Sequence, residues 1–257
     1  MAPHTDKVSL QEWFATPLGA YVLAREQAWI DRVVPNLFGY HAVQVGLPGI
    51  DLLRESRIVN RVCVDPAAGA SVRAAWHELP FDAQSVDLCV LPHTLEFCGD
   101  PQEMPHAILR EVDRIMRPEG RILIIGFNPW SLFGLKRLSA AREVPWSGDF
   151  VSLVRMKDWL QLLGFETAGG AMQCFIPPCR TEAWQRRWGF METMGERWWS
   201  VGGAVYLIDA IKRVQGMRLI APAWSDQRVR ERKLASVAKR NSTHARAAMR
   251  TPLRVIK

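Results

Sequence analysis

The sequence predicts an α/β fold, an open and mostly parallel sheet with helices on both faces. Two observations predict it. Short apolar runs such as His41–Val45 (HAVQV), Val86–Leu91 (VDLCVL) and Arg121–Gly126 (RILIIG) barely alternate, as strands buried on both faces do. Helical stretches and turn signals separate these runs, which is the punctuation of strand–helix–strand units.

Each element can be justified in order. Thr16 followed by Pro17 signals an N-cap and first turn, because proline at that position sacrifices no helical hydrogen bond. Leu18, Val22, Trp29 and Val33 then recur at helical spacing, with Arg25, Glu26 and Arg32 on the wet side. Pro35 and Gly39 end this helix, giving a helical N-terminal segment over about residues 1–39. His41–Val45 is the first strand and Arg61–Val64 (RVCV) the second, closed by Asp65-Pro66. Val86–Leu91 is the third, ended by Pro92.

A helix is expected from about Pro101 to Met116, with Ile108, Val112 and Ile115 on one face. Asp100 and Glu103 have capping-box spacing ahead of it, while Pro105 moves the start of its regular part to near that residue. Pro118-Glu119-Gly120 turns the chain into Arg121–Gly126. Val154–Leu163 reads as a further helix, Gly164-Phe165-Glu166 leads into a strand, and Gly203–Val214 (GAVYLIDAIKRV) is a long closing strand.

Composition sets the bounds. The chain has 257 residues, 48% apolar and 23% charged, which excludes collagenous, disulfide-scaffold and wholly disordered classes. The longest stretch without Asp, Glu, Lys or Arg, Val33–Ile50, is interrupted by two prolines and three glycines, so no spanning helix is expected. The first twenty residues show no basic stretch followed by an apolar core, and a cytoplasmic location is expected. Five cysteines without a CxxC pair argue against a disulfide framework and a zinc ribbon, so no metal is expected. The net charge of +7 is unevenly placed: Arg228–Lys257 carries ten lysines and arginines against one acid, Glu231. We therefore expect a main domain over 1–227 and a basic, mobile tail over 228–257, with a basic helix around 228–239 and polyanion contact open to it.

Ligands of an open parallel sheet bind beyond the carboxyl ends of its strands. After the first strand comes Gln44-Val45-Gly46-Leu47-Pro48-Gly49, whose two glycines permit a tight turn and close backbone approach. Asp65 ends the next strand, 19 residues beyond Gly46, where a carboxylate accepts hydrogen bonds from both ribose hydroxyls of an adenosine ligand. A nicotinamide dinucleotide and S-adenosylmethionine satisfy this pair equally.

The stretch Leu79-Pro80-Phe81-Asp82-Ala83-Gln84-Ser85-Val86-Asp87, then Leu95-Glu96, then Arg110–Ile124 (REVDRIMRPEGRILI) resembles the class I S-adenosylmethionine-dependent methyltransferases of the type 11 group. The likeness runs closely from about Leu79 to Gly126, more loosely from His41 to Asp65, and resumes at Met156–Phe165. It implies a Rossmann-like methyltransferase fold ending in an antiparallel hairpin, to which Gly203–Val214 belongs, and S-adenosylmethionine as methyl donor to a small molecule. By resemblance the cofactor-binding positions fall on Gln44, Gly46 and Asp65, and Gly49 joins them as the second glycine of the first loop. The family's acidic-x-Gly-x-Gly loop meets Gln44, Gly46 and Pro48, so its acid and second glycine are missing. The acid that often holds the adenine amino group falls on Ala75, and the neighbouring Trp76 either stacks on adenine or fills its place.

Methyl transfer needs alignment more than acid–base help. His93 is the candidate base, since imidazole titrates near neutrality, and Glu96 is a weaker one. The amine-methylating signature is replaced by Leu91-Pro92-His93-Thr94, which disfavours an adenine or glutamine amide as acceptor. Phe127, Asn128 and Trp130, after the RILIIG strand, are the expected acceptor contacts. Trp184 and Trp188 share a helical face with Met191 and are interleaved with arginines, as in a core, a lid, a nucleic-acid platform or a membrane-interface segment. Two other readings stay open: a non-catalytic binding module using its tail and Trp/Arg-rich segment, and a nicotinamide-dependent oxidoreductase.

Overall fold

The computed structural model describes residues 5–98, 104–140, 143–178, 181–199 and 201–214, which belong to one compact unit, Met1–Val214. The boundary expected at residue 228, the basic helix after it and the Asp100–Glu103 capping pair lie outside the described residues.

Two helices lead the chain, α1 (Thr5–Phe14) and α2 (Pro17–Val33). As its sequence predicts, α2 is capped by the Thr16 hydroxyl, which accepts from Gly19 N–H at 3.1 Å, with Pro17 in the first turn. The strands are β1 (His41–Val45), β2 (Asn60–Val64), β3 (Val86–Pro92), β4 (Met116–Phe127), β5 (Phe165–Gln173) and β6 (Val205–Lys212). Between them lie α3 (Pro105–Ile115), α4 (Leu132–Ala140), α5 (Leu153–Leu162), α6 (Glu182–Arg187) and α7 (Phe190–Trp198). The helix α3 begins at Pro105, and its N-cap, Met104, makes no side-chain capping bond.

The six strands form one sheet in the order β2-β1-β3-β4-β6-β5. Five strands run in one direction, and β6 alone runs against them, between β4 and β5, which completes the expected closing hairpin. Alternation along the central strands explains why they read as unbroken apolar runs. Leu88, Val90, Leu123 and Ile125 face one side, packed with Trp13, Phe14, Val22 and Ile30 of the leading helices. Cys89, Leu91, Ile122 and Ile124 face the other, under α3 and α5. Burying Ile108, Leu109, Val112 and Ile115 on α3 contributes about 6–12 kcal/mol before entropy, at ~1.5–3 kcal/mol each.

On the β1–β2 side the structure departs from strand–helix alternation. Residues 46–59 and 65–85 cross between strands as turns without a helix, and one parallel bridge, Val64 to Val72, extends the sheet beyond β2. Gly46 and Leu47 both have positive φ, 97° and 50°, so the first crossover cannot wind directly into a right-handed helix. A second departure concerns the tryptophans. The helix breaks between α6 and α7 at Trp188-Gly189, so Trp184 and Met191 do not share one helical face.

Candidate active site

The strand order reverses between β1 and β3, and a cavity of about 140 Å³ lies over their carboxyl ends. Gly46, Asp65, Trp76 and His93 all line it, together with Leu10 and Gln11 of α1. Four of the residues singled out in the sequence thus meet: Gly46, Asp65 and His93 from the ends of β1, β2 and β3, and Trp76 from the 65–85 crossover.

Gly46 follows β1 directly. A Cβ on it would stand 3.0 Å from Thr94 Oγ1, and its φ of 97° suits glycine. Asp65 follows β2 and is buried, and its Oδ1 accepts from Ala67 N–H at 2.7 Å, the local turn that an Asp-Pro step favours. Trp76 is buried beside it.

Gln44 and Gly49, expected at the cofactor, have other work. The Gln44 amide donates toward the carbonyls of Gly46, Leu47 and Ile50 at 2.8–3.1 Å, and its Oε1 accepts from Leu52 N–H at 3.1 Å. This side chain ties the crossover together from behind, and it explains why the family's acid is absent: a carboxylate would face three carbonyl oxygens with no proton to offer. Gly49 packs against α1, where an added Cβ would lie 2.6 Å from Gln11 Nε2.

His93 differs most from expectation. Its ring is fully buried, with Nε2 2.9 Å from Glu26 Oε1 and Nδ1 2.9 Å from Glu96 Oε2, and it stacks on Phe127 with centroids 4.2 Å apart. The other Glu96 oxygen accepts from Phe127 N–H. Burial works against a charged ring, but Glu26 and then Glu96 outweigh it and raise the imidazole pKa to about 10. Burial likewise pushes the Glu96 carboxyl up, only partly offset by His93 and the Phe127 N–H. At neutral pH His93 is an imidazolium with both nitrogens engaged, so it is unsuited to the base role given to it in the sequence. Glu26 was placed on the wet side of α2, yet it is 1% exposed. Its position four residues after Val22 and three before Trp29, inside the apolar stripe, is the signal that finds it.

A second and larger cavity, about 420 Å³, lies along the same edge of the sheet, over β4, β6 and β5. Trp130 after β4, Phe175 after β5, and Trp188, Met191, Met194 and Trp198 around α7 form most of its wall. Of the three expected acceptor residues only Trp130 reaches it. Phe127 is buried against His93, and Asn128 braces the loops: it donates to Val201 and Gly203 carbonyls at 2.8 and 3.0 Å and accepts from Trp130 N–H at 3.0 Å. Gly195 makes room for Phe175, because a Cβ there would stand 2.2 Å from the ring. Glu192, on the inner side of α7, accepts from Tyr21 Oη and from Phe175 N–H, anchoring α7 to α2.

Residues 48–124 match the family described as "Methyltransferase domain". The uncharacterized protein YafS of Escherichia coli K12 is 33% identical over 158 residues, 60% of this chain. The match spans 64% of that relative's length, somewhat under two thirds. Among solved structures, a SAM-dependent methyltransferase of Thermotoga maritima, named as a possible histamine N-methyltransferase, is similar with a TM-score of 0.59 at 18% identity. That likeness covers 79% of this chain and 94% of the other. A chain from the complex of the Haloferax volcanii Trm112 methyltransferase activator with its methyltransferase partner gives 0.58 at 18% identity, covering 82% and 99%. At such identities the likeness is one of fold.

Proposed function

We propose that the chain is a class I S-adenosylmethionine-dependent methyltransferase of the type 11 group and that it methylates a small apolar acceptor. The observation that carries this reading is the meeting of Gly46, Asp65 and Trp76 in one cavity where the strand order reverses.

The residues present fit the donor in kind. Gly46 keeps the backbone open to a close ligand, Asp65 offers a carboxylate to ribose hydroxyls, and Trp76 offers an apolar ring face to adenine. The volume is below the ~300 Å³ at which small-molecule sites usually begin, and Leu10 and Gln11 supply part of the wall. When bound, S-adenosylmethionine supplies a methyl group activated by a positive sulfur. The chain aligns and excludes water. Trp130, Phe175 and Met191 seat the acceptor in the larger cavity, and the buried His93 ion group holds β3, β4 and α2 in register beneath both sites. With no base placed at His93, the acceptor attacks through an atom that needs no proton removed by that residue.

Calorimetric titration with S-adenosylmethionine and S-adenosylhomocysteine tests the reading. Saturable binding, weakened about 10- to 100-fold in Asp65→Ala by loss of a ~1.5–3 kcal/mol contact, supports it. No heat and no thermal shift at millimolar ligand overturns it. The small volume of the donor cavity favours, as a second reading, a methyltransferase-like module that binds without catalysis. That reading predicts the second outcome.

A further inference from the structure

The wall of the donor cavity contains one polar side chain that the proposed chemistry leaves unused. Gln11 lies in α1, which is fixed to the core by Leu10, Trp13 and Phe14, buried at helical spacing. Trp13 meets the Phe127 ring edge-on with centroids 5.8 Å apart, and the Phe14 ring lies 5.9 Å from that of His93. Gln11 follows Leu10 at the border of this apolar face and is half-buried in the cavity wall. Gly49 makes room for it, since a Cβ there would press on its amide. The other polar side chains of that wall are committed. Asp65 and Trp76 are assigned to ribose and adenine in the reading above. Both nitrogens of His93 are taken by carboxylates, and the Thr94 hydroxyl donates to the Val45 carbonyl. The loop after β1 offers little to an anion. Residues 46–59 form no helix, so no helix N-terminus is brought to the cavity there, and Pro48 has no N–H to give. The Gln11 amide has no hydrogen-bond partner among the described residues.

We infer that Gln11 binds the amino-acid end of the donor and makes this cavity selective for ligands that carry that end. A side-chain amide suits it: the N–H groups donate to a carboxylate and the carbonyl oxygen accepts from an ammonium, and the donor bears both on one carbon. Held on a helix that Trp13 and Phe14 anchor, the amide is in place before the ligand arrives, so little ordering is spent on binding. The assignment rests on the methyltransferase reading, and it adds a binding residue that lies outside the stretch matched by the family, 48–124.

The test titrates the full chain, by calorimetry, with S-adenosylhomocysteine and with methylthioadenosine, which keeps the nucleoside and the sulfur but has no amino acid. The parent should bind S-adenosylhomocysteine more tightly by about tenfold or more, as expected of hydrogen bonds to charged groups. Gln11→Ala should lose about tenfold for S-adenosylhomocysteine, while its affinity for methylthioadenosine stays within about twofold of the parent. Its melting temperature without ligand should be that of the parent. Equal binding of the two ligands by the parent overturns the proposal, whether or not the variant folds. Unchanged affinity of Gln11→Ala for S-adenosylhomocysteine overturns it too. Loss for both ligands alike would make Gln11 part of the general shape of the cavity, and tighter binding would make it an obstruction; either result sinks the assignment. If the parent binds neither ligand, the methyltransferase reading itself fails and takes this assignment with it.

Discussion

His93 Nε2 lies 2.9 Å from Glu26 Oε1, joining the loop after β3 to the middle of a helix 67 residues earlier. With Glu96 on its other nitrogen, the ring is a buried cation between two carboxylates. Breaking such a group by removing one partner leaves charge uncompensated, at a cost of roughly 3–5 kcal/mol. Glu26→Gln should lose stability of that order in urea unfolding while far-UV circular dichroism at low urea stays unchanged.

The same group makes stability depend on pH. The folded imidazole pKa, about 10, lies above the ordinary value of 6.5, so its contribution is complete below pH 6.5. It is lost progressively as pH rises from there through 10. Urea midpoints measured from pH 6 to 10 should decline more steeply in the parent than in Glu26→Gln, which lacks the main source of the upward shift.

Gln44→Glu sets a carboxyl against three backbone carbonyls. Only one proton is available to answer them, and only if the carboxyl stays neutral. The expected loss is about 1–3 kcal/mol in thermal or chemical unfolding, growing as pH rises above the ordinary Glu value of about 4.3, where holding the carboxyl neutral becomes more costly. A stabilising effect would show that the amide does not brace this crossover.

At Gly46 an alanine meets both strain and crowding. Its φ of 97° costs roughly 1–2 kcal/mol for a residue with a Cβ, and the new atom faces Thr94 Oγ1. Gly46→Ala should weaken S-adenosylhomocysteine binding at least tenfold in calorimetry, beyond any change in melting temperature.

Gly195→Ala separates the two cavities. The added Cβ collides with the Phe175 ring, so the ring must turn into the larger cavity or α7 must lift. Donor affinity should stay within about twofold of the parent, while an apolar dye that binds the parent should lose most of its affinity. Equal loss at both sites would mean that the cavities are not independent.

The sheet was largely legible in the sequence because each core strand is a run buried on both faces and closed by Gly, Pro or Asp. His41–Val45 was readable to the residue for this reason. Asp65 and Gly46 were readable too, since strand ends place them. What escaped were features that depend on a distant partner. Glu26 sits in an apolar stripe, and only the imidazole brought beside it by β3 accounts for a carboxylate there. Asn128 offers the same groups to a ligand or to loop carbonyls, and nothing local says that residues 201–203 will come to meet it. The first helix-free crossover opens on two successive residues of positive φ, one of which, Leu47, is no ordinary candidate for that conformation.

The placement of β6 has a consequence for the order of assembly. It is the last described strand in the chain, yet it lies between β4 and β5. During synthesis from the N-terminus, β1 to β4 can pair as they emerge, but β5 has no partner until Lys212 has been added. Until then one edge of β4 and both edges of β5 present unpaired backbone to any neighbouring nascent chain. The sheet is completed by insertion from within, so between the making of Gln173 and that of Lys212 the edges of β4 and β5 are open to mispairing.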